Sequence, residues 1–387
     1  MERHVLHCDL DTFFVSVERL QNSALVGKPV LIGGSGDRGV VASCSYEARR
    51  FGVHSAMPMR LALRLCPEAI VVRGDHDLYS RYSSTVTEII EEATPVVEKA
   101  SIDEHYLDIT GMDRFFGCWK WSRELRRHII DQTGLPISFG LSINKTVSKI
   151  ATGEAKPCGA RQVTGGLEKS FLAPLSIRKI PMVGGKSYTL LRNMGIHRIR
   201  TVQELEAQTM RRVLGENGVT IWRKANGLDD CPVVPFREQK SMSKETTFQQ
   251  DTIDVDPLRR ILVGMVDTLA FELRRDRKLT GCVTLKIRYS NFDTHTQQLR
   301  IPYTNSDRVL TVKVMELFKK LYSRRMLIRL VGVKFSNLIH GAYQVDLFND
   351  TLEEVNLMQA IDRIRMRYGH ESIGKGICMP EKDAYAS

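Results

Sequence analysis

The sequence predicts a multidomain α+β protein, and three observations carry that prediction. Strand and helix patterns follow one another in a fixed order over the first 160 residues. A second series of longer strands and helices starts near Met242. Between the two lie short Gly-punctuated helices and a proline-bearing tether. With 387 residues, the chain also exceeds the ~100–200 expected of one domain.

Taken in order, HVLHCD at 4–9 has the apolar character of a short buried strand, and TFFVSVERL has helical spacing with Thr12 near its start. PVLIGG (29–34) and GVVASC (39–44) predict a hairpin, followed by a helical SYEARRFG. PMRLALRLC at 58–66 opens with proline in its first turn, a favoured helix start. AIVVRG predicts a strand and DHDLYSRYSSTVTEIIEEA a long amphipathic helix. PVVEKA and HYLDIT predict two strands separated by Ser101, Ile102, Asp103 and Glu104. A helix over about 114–132, the strand ISFGLSI and the helix NKTVSKIATGE complete the region.

With 12–73 set aside as an insertion, the order is strand, helix, strand, turn, strand, helix, strand, which is the split-βαβ, ferredoxin-like pattern. In that topology the first and third strands are antiparallel neighbours. Asp9, at the end of one, then lies beside Asp103 and Glu104, in the turn leading to the other. Beyond it, 167–230 carries the short helices and CPVVPFREQK (231–240) is the tether. From 241 to about 341, CVTLKIRYS, HTQQLRIPY and IRLVGVKFSNL alternate with two helical stretches, giving a second α+β domain.

Composition narrows the function classes. Apolar residues at 42%, charged at 26% and aromatic at 7% exclude wholesale disorder. No apolar run approaches the ~20 residues of a membrane span, and MERHVLHCDL lacks the apolar core of an export signal, so a cytoplasmic location is expected. The eight cysteines form no CxxC pair, which predicts reduced thiols rather than zinc or disulfides. Net charge is +11, but unevenly spread: −1 over 1–160, +6 over 161–236, +9 over 237–340 and −3 over 341–387. A neutral first region and two basic ones suggest chemistry first and polyanion binding second.

Three converging carboxylates repel one another and raise each other's pKa unless cations neutralise them. Hard oxygen donors select Mg²⁺ or Mn²⁺, and two such ions ~3.5–4 Å apart can clamp an in-line phosphoryl transfer. No Ser/His/Asp or Cys/His motif competes as a centre of chemistry.

Four stretches extend that reading: CDLDTFFVSVE (8–18), VVASCSYEARRFGV (40–53), SIDEHYLDIT (101–110) and SINKTVSKIATGEAKPCG (142–159). In order and spacing they resemble the Y-family translesion DNA polymerases, most nearly the DinB-like branch. The resemblance implies a right-hand polymerase: a ferredoxin-like palm at 1–11 and 74–166, small fingers at 12–73, and a helix-hairpin-helix thumb at 167–230. It further implies a linker at 231–240, an α+β little finger at 241–341 and a tail at 342–387.

By the same resemblance Asp9, Asp103 and Glu104 are the metal-binding carboxylates, Leu10 lends a backbone carbonyl, and Glu104 sits near the primer 3′-hydroxyl. Two Mg²⁺ ions are implied, with Mn²⁺ able to substitute. Tyr46, Arg49 and Lys156 match residues that hold the incoming deoxynucleoside triphosphate, with Ser43 as a hydroxyl contact. Phe14 matches the steric gate against a ribose 2′-hydroxyl, and adjacent helical positions diverge by ~100°, so Phe13 is expected to face the core instead. His105 departs from the family pattern; it is expected to be exposed or to face the sheet, the sharper alternatives being a contact to the primer-terminal backbone or an altered pH dependence.

IPMVGGKSYTLLRNMGIHRIRTVQEL (180–205) resembles a helix-hairpin-helix, with Gly184 and Lys186 on a DNA phosphate and Met182 where the hairpin glycine commonly stands. SMSKETTFQQD opens the little finger, with Ser241, Ser243 and Lys244 as candidate contacts to primer-template DNA. QVDLF resembles the bacterial sliding-clamp-binding pentapeptide, with Gln344 as anchor and Leu347–Phe348 as plug. A monomer is expected. The rival readings are a catalytically inactive scaffold on clamp and DNA, and a nucleotidyl cyclase built on the same palm topology.

Overall fold

A computed structural model describes residues 2–34, 36, 38–112, 117–236, 238–322, 326–341 and 352–378. Its contacts divide into two units, Met1–Arg237 and Glu238–Ser387.

The first unit begins with β1 (Val5–Leu10), α1 (Phe13–Gln21), β2 (Val30–Gly33), β3 (Val41–Cys44), α2 (Tyr46–Arg49), α3 (Met59–Leu65) and β4 (Ile70–Val72). It continues with α4 (His76–Ala93), β5 (Val97–Lys99), β6 (Glu104–Asp108), α5 (Cys118–Thr133), β7 (Ile137–Ser142), α6 (Lys145–Ala155) and β8 (Ala160–Gln162). The main sheet runs β5-β6-β1-β7-β8, with β1 antiparallel to both β6 and β7. This is the strand order of the split-βαβ pattern with one strand added. β8 is too short to show any alternation in sequence, and it pairs parallel to β7.

Strand alternation sorts the two faces of this sheet. Leu6, Cys8 and Leu10 join Ile137, Phe139 and Leu141 in an apolar cluster covered by Val86 and Ile90 of α4 and by Leu125 and Ile129 of α5. His7 and Asp9 point the other way, toward α6. Helix α6 can lie close because β7 carries Gly140 beneath it. A Cβ there would stand 2.2 Å from the Ser148 carbonyl oxygen. Asp75 caps α4 and Asn144 caps α6, each side chain accepting backbone N–H groups of the first turn.

Helix α1 sends Phe13, Val15 and Val17 into the main-sheet cluster, so the insertion at 12–73 is anchored to the first core. Strands β3-β2-β4 form a small separate sheet whose core includes Leu31, Val41, Met59 and Ala62. Helices α7 (Glu168–Leu172), α8 (Gly185–Asn193), α9 (Ile199–Glu204), α10 (Ala207–Leu214) and α11 (Glu216–Ala225) follow. They share a third cluster with Val147, Ile150 and Ala151 of α6. Helix α6 is thus packed on two sides, polar toward the sheet and apolar toward these helices.

The second unit comprises β9 (Ser241–Thr252), α12 (Val255–Arg275), β10 (Lys278–Tyr289), β11 (Thr294–Thr304), α13 (Asp307–Leu321), β12 (Ile328–His340) and α14 (Leu352–Tyr368). Its antiparallel sheet runs β11-β10-β12-β9. One face meets α12 and α13 through Leu262, Val266, Val283, Leu285, Val314 and Val333. The described part of the tail, 352–378, carries no recognisable sequence motif and is bound to this unit. Arg274 grips Asp362 at 2.6 and 2.9 Å, Arg365 grips Asp267 at 2.7 and 3.3 Å, and Lys375 meets Asp307. The pentapeptide at 344–348 lies outside the described residues.

Candidate active site

Antiparallel pairing places Asp9 directly opposite Glu104, and the Leu10 N–H donates to the Asp103 carbonyl at 3.0 Å. Three carboxylates separated by some ninety residues of sequence therefore share one sheet edge, as the topology predicts. Each has a partner. Lys156 donates to Asp9, Lys149 lies 2.6 Å from both oxygens of Glu104, and the Ser101 hydroxyl donates to Asp103 at 2.6 Å. The Asp9 carboxyl is pushed up to about 6, chiefly by burial, with Glu104 and Asp103 adding to the shift and Lys156 opposing it. Among the described residues no three His, Cys, Asp or Glu side chains are drawn together tightly enough to chelate an ion. Asp9 and Glu104 instead face lysines. The donor set remains all-oxygen and anionic, which fits a hard divalent cation that displaces the ammonium groups.

A cleft of about 170 Å³ opens at this edge, lined by Asp9, Leu10, Phe14, Ser43, Arg49, Asp103 and Lys156. It thus gathers metal, triphosphate and steric-gate candidates drawn from four separate elements. Phe14 is held flat by Tyr79, with ring centroids 4.2 Å apart and planes within 13°, and His76 meets it edge-on at 5.6 Å. Phe13 is 2% exposed and faces the core. The Arg49 guanidinium lies 5.3 Å from the centre of the Tyr46 ring, and its Nε donates to the Cys44 carbonyl at 3.3 Å. Tyr46 donates its hydroxyl to Asp11 at 3.3 Å, and burial together with Asp11 raises the pKa of that phenol.

Two residues escaped the sequence reading. Asp11 is 1% exposed and accepts from Ser138 at 2.8 Å and from the Cys158 N–H at 2.6 Å, while Lys156 stands 3.6 Å away. It ties β1, α2 and the loop after α6 together. Its spacing of two from Asp9 on an extended segment was the available signal. Lys149 was legible as the helical neighbour of Lys145 and Lys156, at spacings of four and seven.

Comparison with known proteins meets this geometry. A profile described as the impB/mucB/samB family matches residues 8–153, and its C-terminal domain profile matches 239–347. The chain belongs to this family. A DNA polymerase IV of Dehalococcoides mccartyi is 36% identical over 387 residues, covering 99% of each chain. That of Clostridioides difficile is 33% identical over 94% of this chain and 99% of its own. A solved chimeric Y-family DNA polymerase superposes with a TM-score of 0.77 at 25% identity, covering 87% of this chain and all of that one. The resemblance noted from motifs therefore stands: the protein is a Y-family, DNA-directed DNA polymerase of translesion synthesis and DNA repair, with an α+β polymerase architecture.

Several polymerase landmarks are sharpened or corrected. His105 is fully buried on the face opposite Glu104, its Nε2 2.9 Å from the Thr87 hydroxyl of α4. Burial, aided by Lys99, lowers its pKa to about 4. A contact from His105 to the primer backbone is therefore overturned, because β6 alternation turns it into the helix layer. At the hairpin, Gly184 and Lys186 are exposed at the start of α8. Met182 adopts φ +79°, so the turn keeps a glycine-like conformation despite the side chain. Across the sheet of the second unit, Ser241 and Ser243 fall on the face away from the helices. Lys244 has the parity of buried Met242 and reaches Thr268 of α12 at 3.3 Å, so it belongs to the helix side. The open face carries Lys286, Arg288, Arg300 and Lys334, with Glu245 paired to Lys286 at 2.9 Å. No described helix is long and apolar enough to cross a membrane.

Proposed function

We propose that this polymerase adds deoxynucleotides to a primer 3′-end by metal-assisted, in-line phosphoryl transfer, and that it does so with an open, low-fidelity site on damaged templates. The carrying observation is the single edge shared by Asp9, Asp103 and Glu104, facing a cleft that also holds Arg49 and Lys156. Asp9, Asp103, Glu104 and the Leu10 carbonyl would hold two Mg²⁺ ions, or Mn²⁺, whose chemistry when bound is to stabilise charge on the attacking and leaving oxygens. Glu104 would orient the primer 3′-hydroxyl. Arg49 offers a fork of donors and Lys156 a point charge to the triphosphate, with Tyr46 and Ser43 completing that wall. Phe14, braced by Tyr79, stands under the sugar and excludes a 2′-hydroxyl.

The division of labour follows the domains read from sequence. The palm (1–11 and 74–166) and fingers (12–73) carry the chemistry, the latter anchored through α1 to the palm core. The thumb (167–230) meets a DNA phosphate at Gly184 and Lys186. Beyond the 231–240 linker, the little finger (241–341) lays its open basic face on the duplex, with Ser241 and Ser243 among the contacts. Within the 342–387 segment, Gln344, Leu347 and Phe348 dock the monomer on a sliding clamp. A double Leu347→Ala, Phe348→Ala variant should lose clamp capture and keep clamp-free activity.

Primer extension on undamaged and lesion-bearing templates, comparing the natural protein with Asp103→Ala, tests the central reading. Equal extension by both would overturn it, provided DNA binding and melting show that the variant is folded.

A further inference from the structure

Helix α6 and the helix-to-strand loop after it present Lys145, Lys149, Thr152 and Lys156 to the sheet, at spacings of four, three and four. The sheet answers each lysine with a carboxylate: Glu98 for Lys145, Glu104 for Lys149 and Asp9 for Lys156. The three pairs are not equivalent. Lys145 and Glu98 have side chains 11% and 8% exposed; Glu98 also accepts the Val234 N–H at 2.9 Å, and the ammonium lies 4.5 Å from the Tyr106 ring centre. That pair is a structural anchor. Lys156 lines the cleft itself. Lys149 has neither role. It sits behind Glu104 with its ammonium 2.6 Å from each carboxylate oxygen, the two side chains 35% and 22% exposed.

We infer that Lys149 is a positioning residue for Glu104: it fixes the plane of that carboxylate and competes with a divalent cation for it. The inference rests on the proposed role of Glu104. A glutamate has three rotatable side-chain bonds, and one ammonium bonded to both oxygens removes most of that freedom. The same ammonium neutralises Glu104, which lies directly across from Asp9 in the strand register, until a cation takes over that task. On cation entry Lys149 keeps a single oxygen and leaves the other for the ion or the 3′-hydroxyl. The consequence is an asymmetry. Removing Lys149 makes the carboxylate edge more anionic, and so more attractive to cations, while leaving Glu104 poorly aimed.

The test separates the two effects. Mn²⁺ binding to the protein without DNA or nucleotide is measured by electron paramagnetic resonance of the free ion. Single-nucleotide incorporation then gives kcat and the nucleotide KM. For Lys149→Met, Mn²⁺ binding should tighten about tenfold, while kcat falls about 10–100-fold with KM within about twofold. Lys149→Arg should recover most of the kcat and return Mn²⁺ affinity toward that of the natural protein, because it restores charge and donors. A merely structural role would weaken cation binding and kcat together, and that result would overturn the inference. So would a kcat within about twofold of the natural value in Lys149→Met, or unchanged Mn²⁺ affinity. If Lys149→Met fails to fold, Lys149→Gln replaces it with the same expectations. Asp103→Ala, run alongside, isolates the underlying reading: if it leaves both Mn²⁺ binding and incorporation intact, the assignment of the site falls regardless of Lys149.

Discussion

The sheets of the two units are built on the same principle and used in opposite ways. In the first unit both faces are covered, one by α4 and α5 through apolar side chains, the other by α6 through lysines that meet carboxylates. In the second, the described helices cover one face, and the other carries Lys286, Arg288, Arg300 and Lys334, the last two exposed. A covered polar face keeps charges in fixed geometry at raised energy, which suits a reaction centre. An open cationic face keeps them hydrated and interchangeable, which suits a sequence-independent grip on phosphate. The contrast teaches that a sheet's function here is decided by what lies over it.

The largest effect should come from breaking the covered face at its edge. Asp9→Ala is expected to lower incorporation by about a thousandfold, the scale of losing a main electrostatic stabiliser of the transition state, with DNA affinity nearly unchanged. Loss of DNA binding instead would show that the covered face serves grip as well as chemistry. Next, Phe14→Ala should lower discrimination against ribonucleotides by about 10–200-fold, the range for a pocket contact of this size, as read from paired dNTP and rNTP kinetics. On the open face, Lys286→Glu with Lys334→Glu should weaken duplex binding about tenfold and flatten the salt dependence by about two log–log units. Turnover at saturating DNA should hold.

How far this contrast was legible in the sequence depended on parity. Asp9, Asp103 and Glu104 could be brought together because strand order alone fixes which ends meet. Phe13 and Phe14 could be parted by helical angle. The side on which Lys244 falls was legible from Met242, two residues earlier, whose apolar character marks the helix-facing side. Lys286 and Lys334 were harder, since their strands had to be paired before a shared face could exist. The roles of Lys149 and Asp11 depend on how α6 and the loop after it lie over β1, and Gly140 gives a local hint of that close approach.

Smaller effects distinguish the two faces of the first sheet by pH. His105 has its pKa lowered to about 4 in the folded chain, so its contribution to stability is present above its unfolded value of ~6.5 and is lost as pH falls through 4. Asp9, raised to about 6, has the opposite slope: its favourable contribution is present below ~3.8 and is lost as pH rises through 6. Thermal melts of His105→Leu between pH 6.5 and 4.5 should therefore decline less steeply than those of the natural protein, by about 2–4 °C. A parallel decline would show that His105 does not titrate with folding. The smallest change is expected at the thumb hairpin. Met182→Gly should relieve a left-handed backbone cost of about 1 kcal/mol, raising the melting temperature by a few degrees without altering incorporation.

The pairing of Asp9 with Glu104 also governs what kind of genetic change this region can survive. Point substitutions in β1 or β6 exchange one side chain and leave the others in place. Insertion or deletion of a single residue would shift the strand by one step and turn every following side chain to the opposite face. In β1 that would drive Asp9 into the apolar layer and bring Cys8 or Leu10 under the lysines. Deletion scanning of 5–8 should therefore show inactive, poorly folded chains, a far larger loss than alanine substitution at the same positions causes. In these strands, length is the most strictly constrained property of the sequence.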